Sequence, residues 1–245
     1  MVKQSLKEML RKADNEGYAI PAFNYTDIWD LLAIVEAAEE ENAPVIIASL
    51  YRVVEEIGIE VCGALGDAMM KKSKVPLFHH LDHSSDVDLC KAAIDNLYPS
   101  VMIDASRYPL EQNIKIVKQV VEYAHPRGVH VEAELGKIKG AGVEGGSGGE
   151  DFLVEVDEAI TLVKETGVDA LAVGIGTAHG FYEGKPEINV KRLEEVNRAI
   201  DIPLVLHGGT GIPEEDIRKA IKNGINKVNV GTIIHSTYMN SMKEE

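Results

Sequence analysis

The stretch from residue 77 to residue 84, Leu-Phe-His-His-Leu-Asp-His-Ser, decides the fold prediction. The apolar run from Val75 to Leu81 is typical of a buried strand, and it ends directly in Asp82 and His83. Ionisable residues at the carboxyl end of a parallel strand are the usual location of chemistry in an α/β protein. Because alternate residues of a strand face opposite sides, Asp82 and His83 can share one site only if the strand stops at about Leu81.

The composition limits the class of protein. With 245 residues, 45% of them hydrophobic, the chain is long enough to bury a sizeable core. A formal net charge of -15 argues against nucleic-acid or anionic-membrane partners, which need clustered lysine and arginine. The two cysteines, Cys62 and Cys90, provide neither a disulfide framework nor a CxxC metal motif. Since no signal-peptide core or long apolar run is present, the sequence predicts a cytoplasmic protein.

The fold is predicted from the alternation of strands and helices on both sides of this stretch. We predict eight strands, each followed by a helix, at residues 19–23, 45–48, 75–81, 101–103, 129–135, 170–175, 204–206 and 227–230. No linker-like stretch divides the chain, so the prediction is one α/β catalytic domain over residues 1–245, a single (β/α)8 TIM barrel with a short N-terminal helix and a truncated C-terminal end. A doubly wound open sheet is the alternative, but position 179 is His where a Rossmann fingerprint requires Gly.

Histidines follow three of these strands, and in a barrel all strand ends meet at one rim. His83, His179 and His207 come after the third, sixth and seventh predicted strands. Neutral imidazole is the commonest metal ligand in proteins, and three histidines with an open fourth position form a catalytic zinc site. We therefore predict a zinc site here. The alternative is that each histidine only caps its strand or pairs with a carboxylate.

Acidic residues are predicted at the same rim. Asp82 is placed to move a proton to or from a reacting oxygen, or else to orient a ligand histidine. Asp104 and Glu134 are predicted to support the metal ligands or to form an alternative metal position. Glu144 lies in the glycine-dense stretch 136–149, which is predicted to be a mobile loop, so it would reach the site only when that loop closes.

Two segments are predicted to bind phosphate. Residues 208–211, Gly-Gly-Thr-Gly, present backbone N–H groups and a hydroxyl at the start of a helix, and Asn229 to Thr232 do the same after the last strand. These two loops are the usual phosphate site of a TIM barrel, although plain tight turns are the alternative. Asn24 and Ser49, at the ends of the first two strands, are further candidates for substrate binding.

Six segments at the strand ends resemble one known family. They are residues 80–83 (His-Leu-Asp-His), 101–106 (Val-Met-Ile-Asp-Ala-Ser), 131–136 (Val-Glu-Ala-Glu-Leu-Gly), 176–180 (Gly-Thr-Ala-His-Gly), 206–211 (Leu-His-Gly-Gly-Thr-Gly) and 227–230 (Lys-Val-Asn-Val). In this order they are similar to the class II, zinc-dependent ketose-bisphosphate aldolases, and within them to the tagatose-bisphosphate and related fructose-bisphosphate branch. The resemblance covers essentially the whole chain.

The resemblance implies a role for most of the candidate residues. Zinc held by His83, His179 and His207 would polarise the C2 carbonyl of a ketose 1,6-bisphosphate, which splits into dihydroxyacetone phosphate and an aldehyde such as glyceraldehyde 3-phosphate. Asp82 would take the proton of the C4 hydroxyl, and Glu144 would exchange the C3 proton of the dihydroxyacetone phosphate unit. The phosphate of that unit, commonly with Na⁺ or K⁺ alongside, would be bound by Gly180, Gly208, Thr210, Asn229 and Thr232.

The chain departs from the family pattern at three points. The family usually has a small turn after the second strand that holds the aldehyde-side phosphate, whereas here Ser49 is followed by Leu50, Tyr51 and Arg52. Either Arg52 binds that phosphate or the aldehyde carries none. Thr210 stands where serine is common. Members usually continue into a longer tail that joins the subunit interface, and the family implies a homo-oligomer, a dimer or a tetramer.

Two other functions stay open. A metal-dependent hydrolase on the same barrel would use the same histidines, and a non-catalytic homologue would bind sugar phosphates or a partner subunit. A Schiff-base aldolase is disfavoured because the predicted strand 170–175 contains no lysine. The prediction is therefore a metal-dependent class II aldolase acting on a small-molecule sugar phosphate.

Overall fold

The computed structural model describes residues 5–136, 138–140, 153–184 and 186–244. Ten strands lie in these ranges: β1 (Ile20–Tyr25), β2 (Val45–Leu50), β3 (Leu77–Ser84), β4 (Ser100–Ile103), β5 (His130–Leu135), β6 (Lys139–Gly140), β7 (Ala170–Val173), β8 (Ala178–His179), β9 (Leu204–Leu206) and β10 (Ile225–Val230). Eight of them form a closed parallel barrel in the order β1-β2-β3-β4-β5-β7-β9-β10, while β6 pairs with β8. The predicted (β/α)8 barrel is confirmed.

The same ranges contain ten α-helices: α1 (Leu6–Glu16), α2 (Ile28–Glu40), α3 (Tyr51–Ile57), α4 (Ile59–Lys72), α5 (Val87–Asp95), α6 (Leu110–Ala124), α7 (Val156–Thr166), α8 (Val190–Ala199), α9 (Glu214–Lys222) and α10 (Thr232–Glu244). Helices α3 and α4 replace a single expected helix because Gly58 between them has φ 96°, which a helix does not allow. None of the helices in the described part of the chain is long and apolar enough to cross a membrane.

Because alternate residues of a strand face opposite sides, the barrel strands contribute side chains both to the layer between strands and helices and to the barrel interior. On β5, Val131 and Ala133 belong to the large apolar cluster between the strands and the surrounding helices, whereas Glu132 and Glu134 lie on the opposite, inner face. At the amino end of the barrel, α1 packs Leu6, Met9, Leu10 and Ala13 against Ile20, Ala22, Ile46 and Phe78. The amino end is therefore closed by apolar contacts, and the polar inner residues lie nearer the carboxyl end.

The sequence predicted that the strand carrying Asp82 and His83 stops at about Leu81. In the structure this strand, β3, continues to Ser84. Leu81 pairs with Val101 and Ser84 with Ile103, so β3 contains one more residue than β4 between these two pairs. His83 has φ 51°, in the left-handed region. The extra residue forms a β-bulge, which re-aims the following side chain and lets two consecutive residues face the same end of the barrel.

Candidate active site

Three imidazoles from separate strand ends meet at the carboxyl end of the barrel. They belong to His83 in the bulge of β3, His179 in β8 and His207 directly after β9, and all three are buried. One ring nitrogen of each lies within 4.8 Å of those of the other two, and the ring centroids are 4.5 to 5.9 Å apart. We call these residues the three-histidine group. The structure brings together the three residues predicted as metal ligands.

Glycines allow the backbone turns that carry this group. Gly180 follows His179 with φ 92°, and Gly208 follows His207 with φ 70°. A Cβ at position 208 would overlap the carbonyl oxygen of Ala178. Only glycine therefore lets the turn after β9 approach the turn that carries His179.

The atoms of the three-histidine group fit a divalent cation. Nε2 of His83 and Nδ1 of His207 are buried and have no hydrogen-bond partner among the described residues. Leaving a buried imidazole nitrogen without a partner is costly unless a ligand satisfies it. Oxygens of Asp104 and Glu134 lie 3.6 and 4.0 Å from Nδ1 of His83. Neutral nitrogen donors beside a surplus of carboxylates are the donor set that a metal such as zinc requires.

Burial and nearby charges shift the pKa values of His83 and His207 in opposite directions. Burial acts to lower the pKa of His83, but the carboxylates of Asp82, Asp104 and Glu134 outweigh it and raise that pKa to about 10. Burial, together with the positive charge of His83, lowers the pKa of His207 well below its usual value. The carboxylates around His83 therefore favour a positive charge at this position, which a bound cation would supply.

Asp82 is held by amides from two other strands. Asn24 Nδ2 donates to one carboxylate oxygen at 2.8 Å, and Asn229 Nδ2 lies 3.1 and 3.2 Å from the two oxygens. Burial acts to raise the pKa of Asp82, but nearby positive charge, chiefly that of His83, and the bond from Asn24 lower it overall. Asp82 is thus an ionised, oriented carboxylate, which suits it to accept a proton.

Both asparagines were predicted to bind substrate. Their contacts with Asp82 leave Oδ1 of Asn24 and of Asn229 without a hydrogen bond within the described ranges. The predicted roles of these two residues in substrate binding stay predictions.

His83 also belongs to a second group of metal-ligating atoms. One atom each from His83, Asp104 and Glu134 lie within 4.8 Å of one another. Ser106 donates its backbone N–H and its hydroxyl to Oδ1 of Asp104, at 3.0 and 2.7 Å, while Oδ2 faces His83. Burial opposes ionisation of both acids. It raises the pKa of Glu134 well above its usual value. At Asp104 the hydrogen bonds from His83 and Ser106 outweigh burial, so the pKa of Asp104 is lowered. Both acids lie beside a predicted ligand, as expected from their strand ends.

The two predicted phosphate segments lie side by side. The backbone N–H of Gly209 donates to the carbonyl of Asn229 at 2.9 Å, and the N–H of Ile233, in the first turn of α10, donates to Oγ1 of Thr210 at 3.3 Å. Thr210 and Thr232 are both buried. The turn after β9 therefore abuts the amino end of a 13-residue helix, where backbone N–H groups favour an anion.

Comparison with known proteins decides the family. The family model described as fructose-bisphosphate aldolase class-II matches residues 4–245. The chain belongs to the class II aldolases. The resemblance inferred from the six strand-end segments is thereby confirmed, and the chain is an aldolase, a lyase.

Individual relatives of this class II aldolase carry two different names. It is 43% identical over 235 residues to a 6-phospho-5-dehydro-2-deoxy-D-gluconate aldolase of Halalkalibacterium halodurans, an alignment that covers 95% of this chain and 81% of the relative. It is equally 43% identical, over 238 residues, to a fructose-bisphosphate aldolase of Staphylococcus epidermidis, covering 93% of this chain and 80% of that protein. The X-ray structure of the YdjI aldolase from Escherichia coli K12 superposes with a TM-score of 0.88 at 34% identity, over 98% of this chain and 86% of the other.

Two residues predicted for the aldehyde side do not join the three-histidine group of this class II aldolase. Ser49 is fully buried, with its hydroxyl 2.8 Å from the Tyr98 hydroxyl and 3.4 Å from Nε2 of His79. Alternation along β2 turns Ser49 toward the helices, and its role in substrate binding stays a prediction. Arg52 is exposed, and its Nε donates to the Tyr51 hydroxyl at 2.9 Å. Its role stays a prediction.

Glu144, the second predicted catalytic acid of the aldolase, lies outside the described residues. Its predicted role in exchanging the C3 proton therefore stays a prediction.

An ion pair inside the barrel of the aldolase was not predicted from the sequence. Lys227 Nζ lies 2.6 Å from Oε2 of Glu132, and Oε1 of Glu132 lies 2.9 Å from Nε2 of His207. The three side chains are almost completely buried. The signal that could have identified the pair is a charged residue inside each of two short buried strands, Glu132 in β5 and Lys227 in β10, because a charge buried there needs a partner.

Proposed function

We propose that this aldolase binds zinc through His83, His179 and His207 and reversibly cleaves a ketose 1,6-bisphosphate of the fructose or tagatose type. The products would be dihydroxyacetone phosphate and an aldehyde, glyceraldehyde 3-phosphate or an analogue. The observation that carries the proposal is three buried imidazoles beside a carboxylate held by two amides. Zinc at this position would supply a Lewis acid to polarise the C2 carbonyl of the substrate.

Asp82 performs the proton transfer at the C4 oxygen. In cleavage the carboxylate of Asp82 accepts the proton of the C4 hydroxyl. The C3–C4 bond breaks, and the electron pair of that bond stays with C3. In condensation Asp82 returns the same proton to the aldehyde oxygen. The donors Asn24 and Asn229 keep the carboxylate ionised and fix its direction, so little reorganisation is needed during the reaction.

The dihydroxyacetone phosphate unit is oriented by its phosphate. Gly180, Gly208 and Thr210 provide one side of the phosphate site, and Asn229 and Thr232 provide the other. The contacts between the two segments support this assignment, since they place the amino end of α10 against the turn after β9. A monovalent cation, Na⁺ or K⁺, would accompany the phosphate. Glu144 would return a proton to C3 of the same unit.

The family also suggests the setting in which the protein works. We expect a cytoplasmic homo-oligomer, a dimer or a tetramer, whose partner is a small-molecule sugar phosphate and in which residues 1–245 form a single catalytic domain. Light scattering of the purified protein measures the number of subunits.

A parallel cleavage assay tests the activity. Fructose 1,6-bisphosphate, tagatose 1,6-bisphosphate and the substrate named for the relatives, 6-phospho-5-dehydro-2-deoxy-D-gluconate, are each incubated with the protein, and dihydroxyacetone phosphate is measured. A bisphosphate should be cleaved, and a chelator should abolish the reaction until zinc is restored. Preference for the third compound would correct the substrate but keep the aldol chemistry.

Three results would contradict the proposal. Zinc-loaded protein that cleaves none of the compounds would indicate a non-catalytic homologue. Chelator-sensitive hydrolysis without exchange of a C3 proton of dihydroxyacetone phosphate would indicate a hydrolase. Trapping of substrate by borohydride would indicate a Schiff base in place of the metal mechanism.

A further inference from the structure

A series of buried hydrogen bonds leads from the three-histidine group toward the amino end of the barrel. His207 Nε2 lies 2.9 Å from Oε1 of Glu132, and Oε2 of Glu132 lies 2.6 Å from Lys227 Nζ. Lys227 Nζ in turn lies 3.3 Å from Nε2 of His80. All four side chains are at most 1% exposed. Lys227 is therefore the centre of a series that has a predicted metal ligand at one end.

The chemistry of Lys227 fixes the direction of each bond. An ammonium group can only donate, and an ionised carboxylate can only accept. Glu132 therefore accepts from both neighbours, so the hydrogen of His207 must be on Nε2. Its Nδ1, which is buried and has no hydrogen-bond partner among the described residues, then presents a lone pair. This is the nitrogen form that a metal ligand requires.

The same reasoning applies on the other side of Lys227. Nε2 of His80 faces the ammonium and must accept, so the hydrogen of His80 is on Nδ1. That Nδ1 lies 2.7 Å from Oγ of Ser100, which therefore accepts from it. The hydroxyl hydrogen of Ser100 is then available to Nδ1 of His130, at 3.3 Å. One ammonium thus sets the bond direction both toward the three-histidine group and away from it.

We propose that Lys227 is a positioning residue that fixes the tautomer of His207 through Glu132. Its ammonium keeps Glu132 an acceptor, which directs the Nδ1 lone pair of His207 to the metal position. It also balances the buried charge of Glu132, which would otherwise lack its partner. The inference rests on the proposed function only in taking His207 as a metal ligand.

Histidine tautomers and zinc affinity test this role directly. Long-range ¹H–¹⁵N spectra of the metal-free protein should show His207 protonated on Nε2 and His80 protonated on Nδ1. The variant Lys227→Met keeps the length of the side chain but has no donor, so His80 should lose its fixed tautomer. The dissociation constant for zinc alone, measured by competition with a chromophoric chelator, should rise roughly 10- to 100-fold, as when a partner of a ligand histidine is lost.

The variant Ser100→Ala is the matched control. It breaks the series on the side of His80 that faces away from the three-histidine group, so zinc affinity and the tautomer of His207 should not change, whereas the spectrum of His130 should change. If Lys227→Met does not fold, Glu132→Gln tests the same link. A neutral amide can donate or accept, so His207 should then populate both tautomers and bind zinc more weakly.

Two outcomes would overturn the proposal. One is His207 protonated on Nδ1, or His80 protonated on Nε2, in the unsubstituted protein. The other is a folded Lys227→Met variant that binds zinc as tightly as the unsubstituted protein. Neither measurement uses a sugar phosphate, so failure of the cleavage assay would count against the proposed activity and leave this inference standing.

Discussion

Asn229 on β10 donates its side-chain amide to Asp82 on β3, with distances of 3.1 and 3.2 Å to the two carboxylate oxygens. These strands are not neighbours, since β1 and β2 lie between them in the barrel. The contact therefore crosses the interior of the barrel. The orientation of the Asp82 carboxylate thus depends on closure of the whole barrel.

Replacing Asp82 by alanine should separate proton transfer from metal binding. We expect Asp82→Ala to retain zinc, because the three-histidine group is intact, and to lose about 10²- to 10⁴-fold in cleavage rate. Zinc content by elemental analysis and the rate of triose phosphate formation measure the two effects. Near-normal turnover would contradict the proposed proton transfer and indicate that Asp82 has only a structural role.

Asn24→Ala should weaken catalysis through the orientation of Asp82. The carboxylate would keep its bonds to Asn229 but lose the 2.8 Å bond from Asn24, so we expect kcat to fall by up to about 100-fold while zinc content stays unchanged. Steady-state kinetics measure the change. Asn96→Ala is a matched control, because that amide binds the helix carbonyl of Ala92 and should leave kcat unaltered.

His207→Ala should lose zinc. It removes one of three nitrogen donors and leaves Glu132 without the imidazole that it binds at 2.9 Å. Elemental analysis after dialysis measures retained metal, and His235→Ala, a change within α10, serves as the control that should keep it. A fully metallated and active His207→Ala variant would refute the assignment of this ligand.

Glu144→Ala should slow proton exchange at C3 without affecting the metal. We expect slower incorporation of solvent deuterium into dihydroxyacetone phosphate, with zinc content unchanged, because loss of an acid–base group typically costs about 10²- to 10⁴-fold. Nuclear magnetic resonance follows the exchange. Glu150→Ala, directly after the same glycine-dense stretch, is the matched control. Unchanged exchange in Glu144→Ala would end the assignment.

Asp169 should make the stability of the protein dependent on pH. It accepts bonds from Lys7, His125 and the backbone N–H of Val131, at 2.8 to 3.0 Å, in a position that is 4% exposed. Burial acts to raise the pKa of Asp169, but His130 and these donors outweigh it, so the pKa is lowered from 3.8. The stabilisation is therefore fully present above pH 3.8 and is lost as pH falls through the native value.

The variant Asp169→Asn should lose this contribution. At pH 7 we expect its free energy of unfolding to fall by roughly 1–3 kcal/mol, and the difference from the unsubstituted protein should shrink below about pH 4. Urea unfolding at both pH values measures it. Asp201→Asn is the control, because its side chain is 95% exposed in the pair with Arg11 and should matter little. A difference independent of pH would contradict the assignment.

Much of the barrel could be predicted because its signals are local. A strand signal such as an apolar run depends on a few neighbouring residues. The runs predicted at residues 45–48 and 204–206 match the bounds of β2 and β9 within two residues. The three-histidine group was predictable for a topological reason. Once the strands are known to be parallel and closed, His83, His179 and His207 must meet at one rim.

The remaining features depend on contacts between distant parts of the chain. The bulge at His83 is defined by the register of β3 against β4, which strand alternation within β3 cannot reveal. Glu132 and Lys227 are 95 residues apart, so a charge in a buried strand predicts that a partner exists but not which residue it is. Ser49 was predicted to follow the second strand but lies inside β2, because that strand extends to Leu50, beyond its predicted end at residue 48.

The left-handed backbone at His83 has a cost for the molecule as a whole. A non-glycine residue in this region is less stable by about 1–2 kcal/mol than one in an ordinary strand conformation. Glycine would relieve that strain but would remove an imidazole from the three-histidine group. Stability of the fold and the predicted metal site therefore make opposite demands on the residue at position 83.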